Sequence, residues 1–258
     1  MRFGICTAVD KAAVVKQAGW DFVEESVQRL FAPRVADEQW GGAAAVAAAA
    51  LPVPAANGLV PGELKITGPQ VRRDELLAHM NTVIRRAAQT GTRIIVFGSG
   101  AARSVPEGFD RATARQQIID FLRDSAAICQ QHQVILVVEP LNRRECNIIN
   151  SVAQAMEYVH AVDHPNVMCL LDSYHFWLED EPLANVEKAM GWIRHVHVAD
   201  REGRVPPGES GQADYRPLFG VLKSGGYDGL ISVEARFADL PAAAPRVLDF
   251  LMRQWEQA

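Results

Sequence analysis

The chain has 258 residues, 48% of them hydrophobic and 22% charged, with a net charge of −5. The acidic balance speaks against nucleic acid or an anionic membrane as partner, since both are held by basic surface. No run approaches the roughly 18 apolar residues of a membrane span, and the apolar start Met1–Cys6 is too short for a secretory leader. Cys6, Cys129, Cys146 and Cys169 show no paired spacing and read as reduced thiols of a cytoplasmic protein.

Arg2–Cys6 reads as a first strand, followed by a helix near Lys11–Ala18 that stops at Gly19. Phe22–Ser26 reads as the second. Its adjacent acids, Glu24 and Glu25, must point to opposite faces, so one of them is a candidate for the interior. Val27–Trp40 reads as an irregular connection, long enough to suggest a segment over a substrate. The Ala-rich tract Gly41–Ala50 suits an exterior helix, and Val53–Leu59 stands where a third strand belongs. A helix over about Gln70–Gln89 ends at Gly91, and Arg93–Ser99 forms the fourth strand with Gly98-Ser99-Gly100 as a tight turn. Ile118, Ile119, Leu122 and Ala126 give a helical stripe within about Ala112–Gln131.

Four further strands follow: Val134–Glu139, Val167–Asp172, Ile193–His197 and Leu230–Glu234. Helices near Ser151–Val162, Glu181–Met190 and Tyr215–Ser224 alternate with them, and Pro241–Glu256 closes the series. The alternation, with no linker or change of composition, predicts one domain over residues 1–258, an α/β fold of the single (β/α)8 TIM barrel type. A doubly wound open sheet would want a glycine-rich phosphate turn after the first strand, and Cys6-Thr7-Ala8-Val9 is not one.

Each of the last four strands is a short apolar run with an ionisable residue at its end: Glu139, Asp172, His197 and Glu234. The intervals between them are 33, 25 and 37 residues, each near the length of one crossover. One helix per interval returns the chain to the same rim, so two Glu, one Asp and one His converge there. An oxygen-rich set with a single imidazole suits one divalent ion such as Mn²⁺, Mg²⁺ or Co²⁺. His195 shares the face of His197 one layer deeper, as a core histidine or as a support for a liganding carboxylate. Two glutamates on strands five and eight face each other across a barrel mouth. That arrangement suits removal of a proton α to a carbonyl and its return on the other face.

The segments Glu139-Pro140-Leu141-Asn142-Arg143, Leu171-Asp172-Ser173-Tyr174-His175, His195-Val196-His197-Val198-Ala199-Asp200 and Ile231-Ser232-Val233-Glu234 resemble motifs of the sugar isomerase/epimerase family with a xylose-isomerase-like barrel. The pattern is most similar to the D-tagatose (ketose) 3-epimerases. The resemblance implies Glu139, Asp172, His197 and Glu234 as ligands of one divalent ion, Mn²⁺ first, with Glu139 and Glu234 also the acid/base pair. It implies a small unphosphorylated sugar as substrate, with Glu145, His175 and Arg204 as its contacts, and assembly as a homodimer or homotetramer. Gly203 stands where the best-known epimerases carry a second arginine, and Cys6 where an aromatic often walls the sugar pocket. Hydroxypyruvate isomerase and inosose-type dehydratase chemistry would use the same ligands, and a non-catalytic sugar-binding barrel is the reading from another class. A three-zinc nuclease of related fold would need more histidines than the seven present and a basic face.

Overall fold

A computed structural model describes all 258 residues, Met1–Ala258. Eight strands, β1 (Arg2–Cys6), β2 (Phe22–Ser26), β3 (Ala55–Asn57), β4 (Ile94–Phe97), β5 (Ile135–Val138), β6 (Val167–Asp172), β7 (Ile193–Val198) and β8 (Leu230–Val233), pair in parallel in sequence order. β8 closes on β1 through Arg2–Leu230 to Ile5–Val233, giving the expected TIM barrel. Between the strands lie α1 (Ala12–Gln17), α2 (Val27–Leu30), α3 (Gly42–Ala47), α4 (Arg73–Thr90), α5 (Gly100–Arg103), α6 (Arg111–His132), α7 (Val152–Val162), α8 (Ser173–Leu178), α9 (Leu183–Ala189) and α10 (Arg216–Ser224). α11 (Leu240–Glu256) follows β8. No helix is long and apolar enough to cross a membrane.

The local chemistry sets the ends of these elements. Asp110 and Ser151 cap α6 and α7 by accepting the backbone N–H of Thr113 and Gln154. Gly91 ends α4 at φ +76°, as expected from the sequence. β3 is shorter than Val53–Leu59, because Pro54 has no N–H to donate and Gly58 turns the chain at φ +69°. Val27–Trp40 is not the irregular connection expected, since it contains α2 and a 3₁₀ turn at Asp37–Gln39. The buried Arg86 of α4 organises this segment. It donates to the carbonyls of Phe31 (2.7 Å), Ala32 (2.8 Å) and Val35 (2.7 Å) and to Asp37 (2.6 Å).

The strands are buried on both faces, as a barrel requires. The larger apolar core lies between sheet and helices. Inside the barrel, Phe22, Ala55 and Leu230 fill the floor and Val96, Val137 and Leu170 the wall above it. Two-residue alternation then carries each inward position up to the mouth: Phe22 to Glu24, Val137 to Glu139, Leu170 to Asp172 and His195 to His197. A register shift between β6 and β7 at Cys169/Leu170 sets Leu170 opposite His195 and Asp172 opposite His197.

Candidate active site

Glu139, Asp172, His197 and Glu234 meet at the C-terminal mouth of the barrel, each offering one ligand atom within 4.8 Å of the others. His197 is their centre. Its Nδ1 lies 3.3 Å from Glu234 Oε2, 3.4 Å from Glu139 Oε1 and 3.9 Å from Asp172 Oδ2. Asp172 divides its carboxylate between two tasks. Oδ1 accepts the backbone N–H of His175 at 3.1 Å and so caps α8, while Oδ2 faces the cluster.

Glu24 holds His197 from below. Its Oε1 lies 2.9 Å from His197 Nε2 and its Oε2 lies 2.6 Å from His195 Nε2, with all three side chains fully buried. A carboxylate can only accept, so Nε2 of each ring is the donor. In the neutral ring this leaves the Nδ1 lone pair of His197 facing the three carboxylates. Both His197 Nδ1 and Glu139 Oε1 are buried without a hydrogen-bond partner. Buried polar atoms are rarely left so, and a cation among these donors would satisfy both atoms at once. The residues therefore fit a single divalent ion with mixed carboxylate and imidazole ligands.

The charges are strongly coupled. Burial pushes Glu139 up, and pushes Asp172 up to about 6 against the pull of Arg204. Burial acts on Glu234 too, but His197 and Arg204 outweigh it and hold that carboxyl down at about 2. Burial would discharge His197, yet Glu24 and Glu234 keep its pKa well above the ordinary imidazole value.

Arg204 reaches in from the loop after β7, with its Nη2 2.6 Å from Glu234 Oε2 and its guanidinium 4.8 Å over the Tyr174 ring. The buried Asp200 shapes this loop by accepting from the backbone of Gly208 and Ser210 and from the Tyr215 hydroxyl at 3.0 Å. His175 is buried, and its Nδ1 accepts the backbone N–H of Asn142 at 3.1 Å. Its proton is thereby placed on Nε2, which has no partner and lies 3.9 Å from Asp172 Oδ2. Glu145 stands at the rim, held by Asn142 Nδ2 at 3.0 Å and 3.5 Å from Arg204 Nη1. All seven residues singled out from the sequence are thus joined by contacts of 3.9 Å or less, and Arg204 and Glu234 among them line the cavity at the mouth.

Sequence reasoning missed the supports. Glu24 was legible only as one of two alternating acids, and nothing in the chain foretold its histidine partners 171 and 173 residues away. Asn57, donating to Glu234 Oε1 at 3.3 Å, gave no signal in a strand of weak propensity. Arg103, fully buried, ties β4 to β5 by donating to the carbonyls of Phe97 (2.9 Å) and Glu139 (2.6 Å). Gly98 leaves room for the Glu139 carboxylate, which a Cβ at that position would strike.

Barrel and mouth define a TIM barrel carrying a carboxylate–imidazole cluster at the C-terminal ends of its strands. The chain belongs to the xylose isomerase-like TIM barrel family, whose profile matches residues 12–254. It is 31% identical to the 3-dehydro-D-guloside 4-epimerase of Escherichia coli (strain K12) over 183 residues, 68% of this chain and 69% of that one. It is 29% identical over 143 residues to a Mus musculus protein provisionally named hydroxypyruvate isomerase, and spans about half (52%) of that relative's length. Among solved structures, the apo 3-keto-D-glucoside 4-epimerase of E. coli superposes with a TM-score of 0.83 at 25% identity, covering 98% of this chain and 99% of the other. The D-psicose 3-epimerase of Clostridium cellulolyticum H10, solved with D-tagatose, gives 0.86 over 99% of each chain at 21% identity, a likeness of fold.

Proposed function

We propose that the chain is a divalent-metal-dependent epimerase or isomerase of an unphosphorylated keto sugar. The observation that carries this reading is the shared position of Glu139 and Glu234 on His197 Nδ1, at 3.4 and 3.3 Å, in a mouth that also holds Asp172. The family membership and the epimerase relatives support it.

Glu139, Asp172, His197 and Glu234 would hold the ion, Mn²⁺ before Mg²⁺ or Co²⁺. When bound, it supplies positive charge beside the carbonyl and neighbouring hydroxyl oxygens of the substrate. One glutamate takes the proton from the carbon next to the carbonyl; the C–H electron pair becomes a C=C bond to the carbonyl carbon and the carbonyl π pair moves onto its oxygen, giving an enediolate. The other glutamate, protonated, returns a proton to the opposite face of that carbon. The Nε2–H of His175 and the Arg204 guanidinium donate to substrate oxygens, and Glu145 accepts from hydroxyls at the rim.

A second reading uses one glutamate for both transfers and shifts the carbonyl to the neighbouring carbon, the kind of isomerisation named for the mouse relative, provisionally a hydroxypyruvate isomerase. The two diverge in D₂O. Turnover of a ketose panel with Mn²⁺ should place deuterium at the carbon next to the carbonyl, in product and in recovered substrate, with inverted configuration at that carbon. Product without solvent deuterium would point to a hydride shift and overturn the proton-transfer account.

A further inference from the structure

The cavity at the mouth has a volume of about 290 Å³, and its outer wall is polar: Thr7, Ser26, Arg29, Asn57 and Arg236, with Cys6 and Ala235 as the hydrophobic residues that border it. No aromatic plane is available there for the face of a sugar ring. The charges inside are matched one by one. Glu24 is held by His195 and His197, and Glu234 by Arg204. Arg29 donates through Nε and Nη2 to Glu25, whose carboxylate also takes the backbone N–H groups of Val9 (2.7 Å) and Ser26 (2.6 Å). Arg29 Nη1 is left over. Arg236, solvent-exposed on the cavity's rim, pairs with no acid, and its backbone N–H, bonded to the Arg204 carbonyl at 2.9 Å, fixes it two residues beyond Glu234.

We infer that this outer half takes a carboxylate of the substrate on Arg236, with Arg29 beside it. The inference rests on the reading of the inner half as the site of proton transfer. A guanidinium with its planar fork unengaged is matched by a carboxylate, which can take two parallel N–H donors. An unpaired cation in a concave wall also draws anions into the cleft. The substrate class that follows is a hydroxy-keto acid: a carbonyl and hydroxyl at the inner cluster, and a carboxylate at the far end of the chain.

The test compares a ketose with the keto-uronate in which its terminal CH₂OH is a carboxylate. Both are followed by turnover and by calorimetric binding to the Mn²⁺-loaded protein. The acid should be preferred about 10- to 100-fold in kcat/KM, the worth of one charge-assisted hydrogen-bonded pair. The difference should sit in KM. In Arg236→Gln the ratio between the two compounds should fall toward one, and Arg236→Lys should restore part of it. A preference that survives in Arg236→Gln places the carboxylate on the metal instead and overturns the inference. Equal handling of both compounds, or preference for the neutral one, overturns it while leaving the proton-transfer reading standing. Binding of neither defeats both readings.

Discussion

Glu24 supports His197 from the layer beneath, its Oε1 2.9 Å from Nε2, and so decides which nitrogen faces the mouth. The carboxylate fixes the tautomer, the ring plane and the basicity of the mouth-facing Nδ1 in one contact. Replacing it with glutamine should weaken Mn²⁺ binding by about 10- to 100-fold, the usual cost of removing such a support. Isothermal titration of metal-stripped protein reads this directly, and unchanged affinity would remove Glu24 from the site.

The two histidines should separate cleanly. His197→Ala removes the proposed ligand and should abolish tight metal binding. His195→Ala deletes a ring whose one strong partner is Glu24 at 2.6 Å, and so should lower the thermal midpoint more than the metal affinity. Differential scanning calorimetry with and without Mn²⁺ distinguishes the two outcomes.

Metal affinity should rise with pH between about 5 and 7. Burial holds the Asp172 carboxyl up to about 6 and raises Glu139, so both tend to keep protons that the ion must displace. Above that window they are ionised, and the shift of the thermal midpoint on adding Mn²⁺ should be larger at pH 7 than at pH 5. Metal binding near pH 5.5 should release protons, seen as a buffer-dependent heat. For Asp172 in metal-free protein the sign is the reverse. A carboxyl with a raised folded pKa contributes stability that is lost as pH climbs from its unfolded value near 3.9 to about 6.

Arg86 tests the fold apart from the chemistry. Its guanidinium satisfies three backbone carbonyls and Asp37 from a fully buried position on α4. Arg86→Met keeps the stem but strands those acceptors, and should cost at least the roughly 1–3 kcal/mol of one buried carbonyl left unsatisfied, read by urea unfolding.

The barrel was legible because its strands are fully buried and read as apolar runs, and because four of them end in an ionisable residue. That rhythm led to Glu139, Asp172, His197 and Glu234. It could not reveal α8, since β6 runs straight into it and Asp172 serves as both strand end and helix cap. Nor could it reveal the register shift that sets Asp172 opposite His197, which depends on how β6 meets β7. Support residues such as Glu24 and Asn142 act through partners many residues distant. Their roles are set by tertiary packing, which a local pattern does not encode. Arg86 escaped for the same reason, and with it the order of Val27–Trp40.

The resemblance to ketose epimerases also implies more than one copy of the chain in the working assembly. Light scattering at micromolar concentration should return a homodimer or homotetramer. A strict monomer with full activity would show that the mouth is complete within one chain.

The last prediction concerns the glutamates themselves. Glu139→Gln and Glu234→Gln keep side-chain size while removing the base, and each should lower kcat by about 10²–10⁴-fold. Both residues also belong to the proposed ion site, so Mn²⁺ content must be shown to persist before the loss is assigned to proton transfer. The environments of the two carboxyls differ, which makes the comparison informative. Glu139 is almost fully buried, whereas Glu234 is bonded to Arg204 and partly exposed. If each glutamate serves one face of the substrate carbon, each variant should still wash in solvent deuterium from its intact side while failing to invert configuration. One variant that epimerises normally would leave a single-base mechanism and remove the partner glutamate from the reaction. Gly98→Ala offers an independent check, since the added methyl must displace the Glu139 carboxylate. It should reproduce the Glu139→Gln defect in kcat without changing the chemistry of any ionisable group.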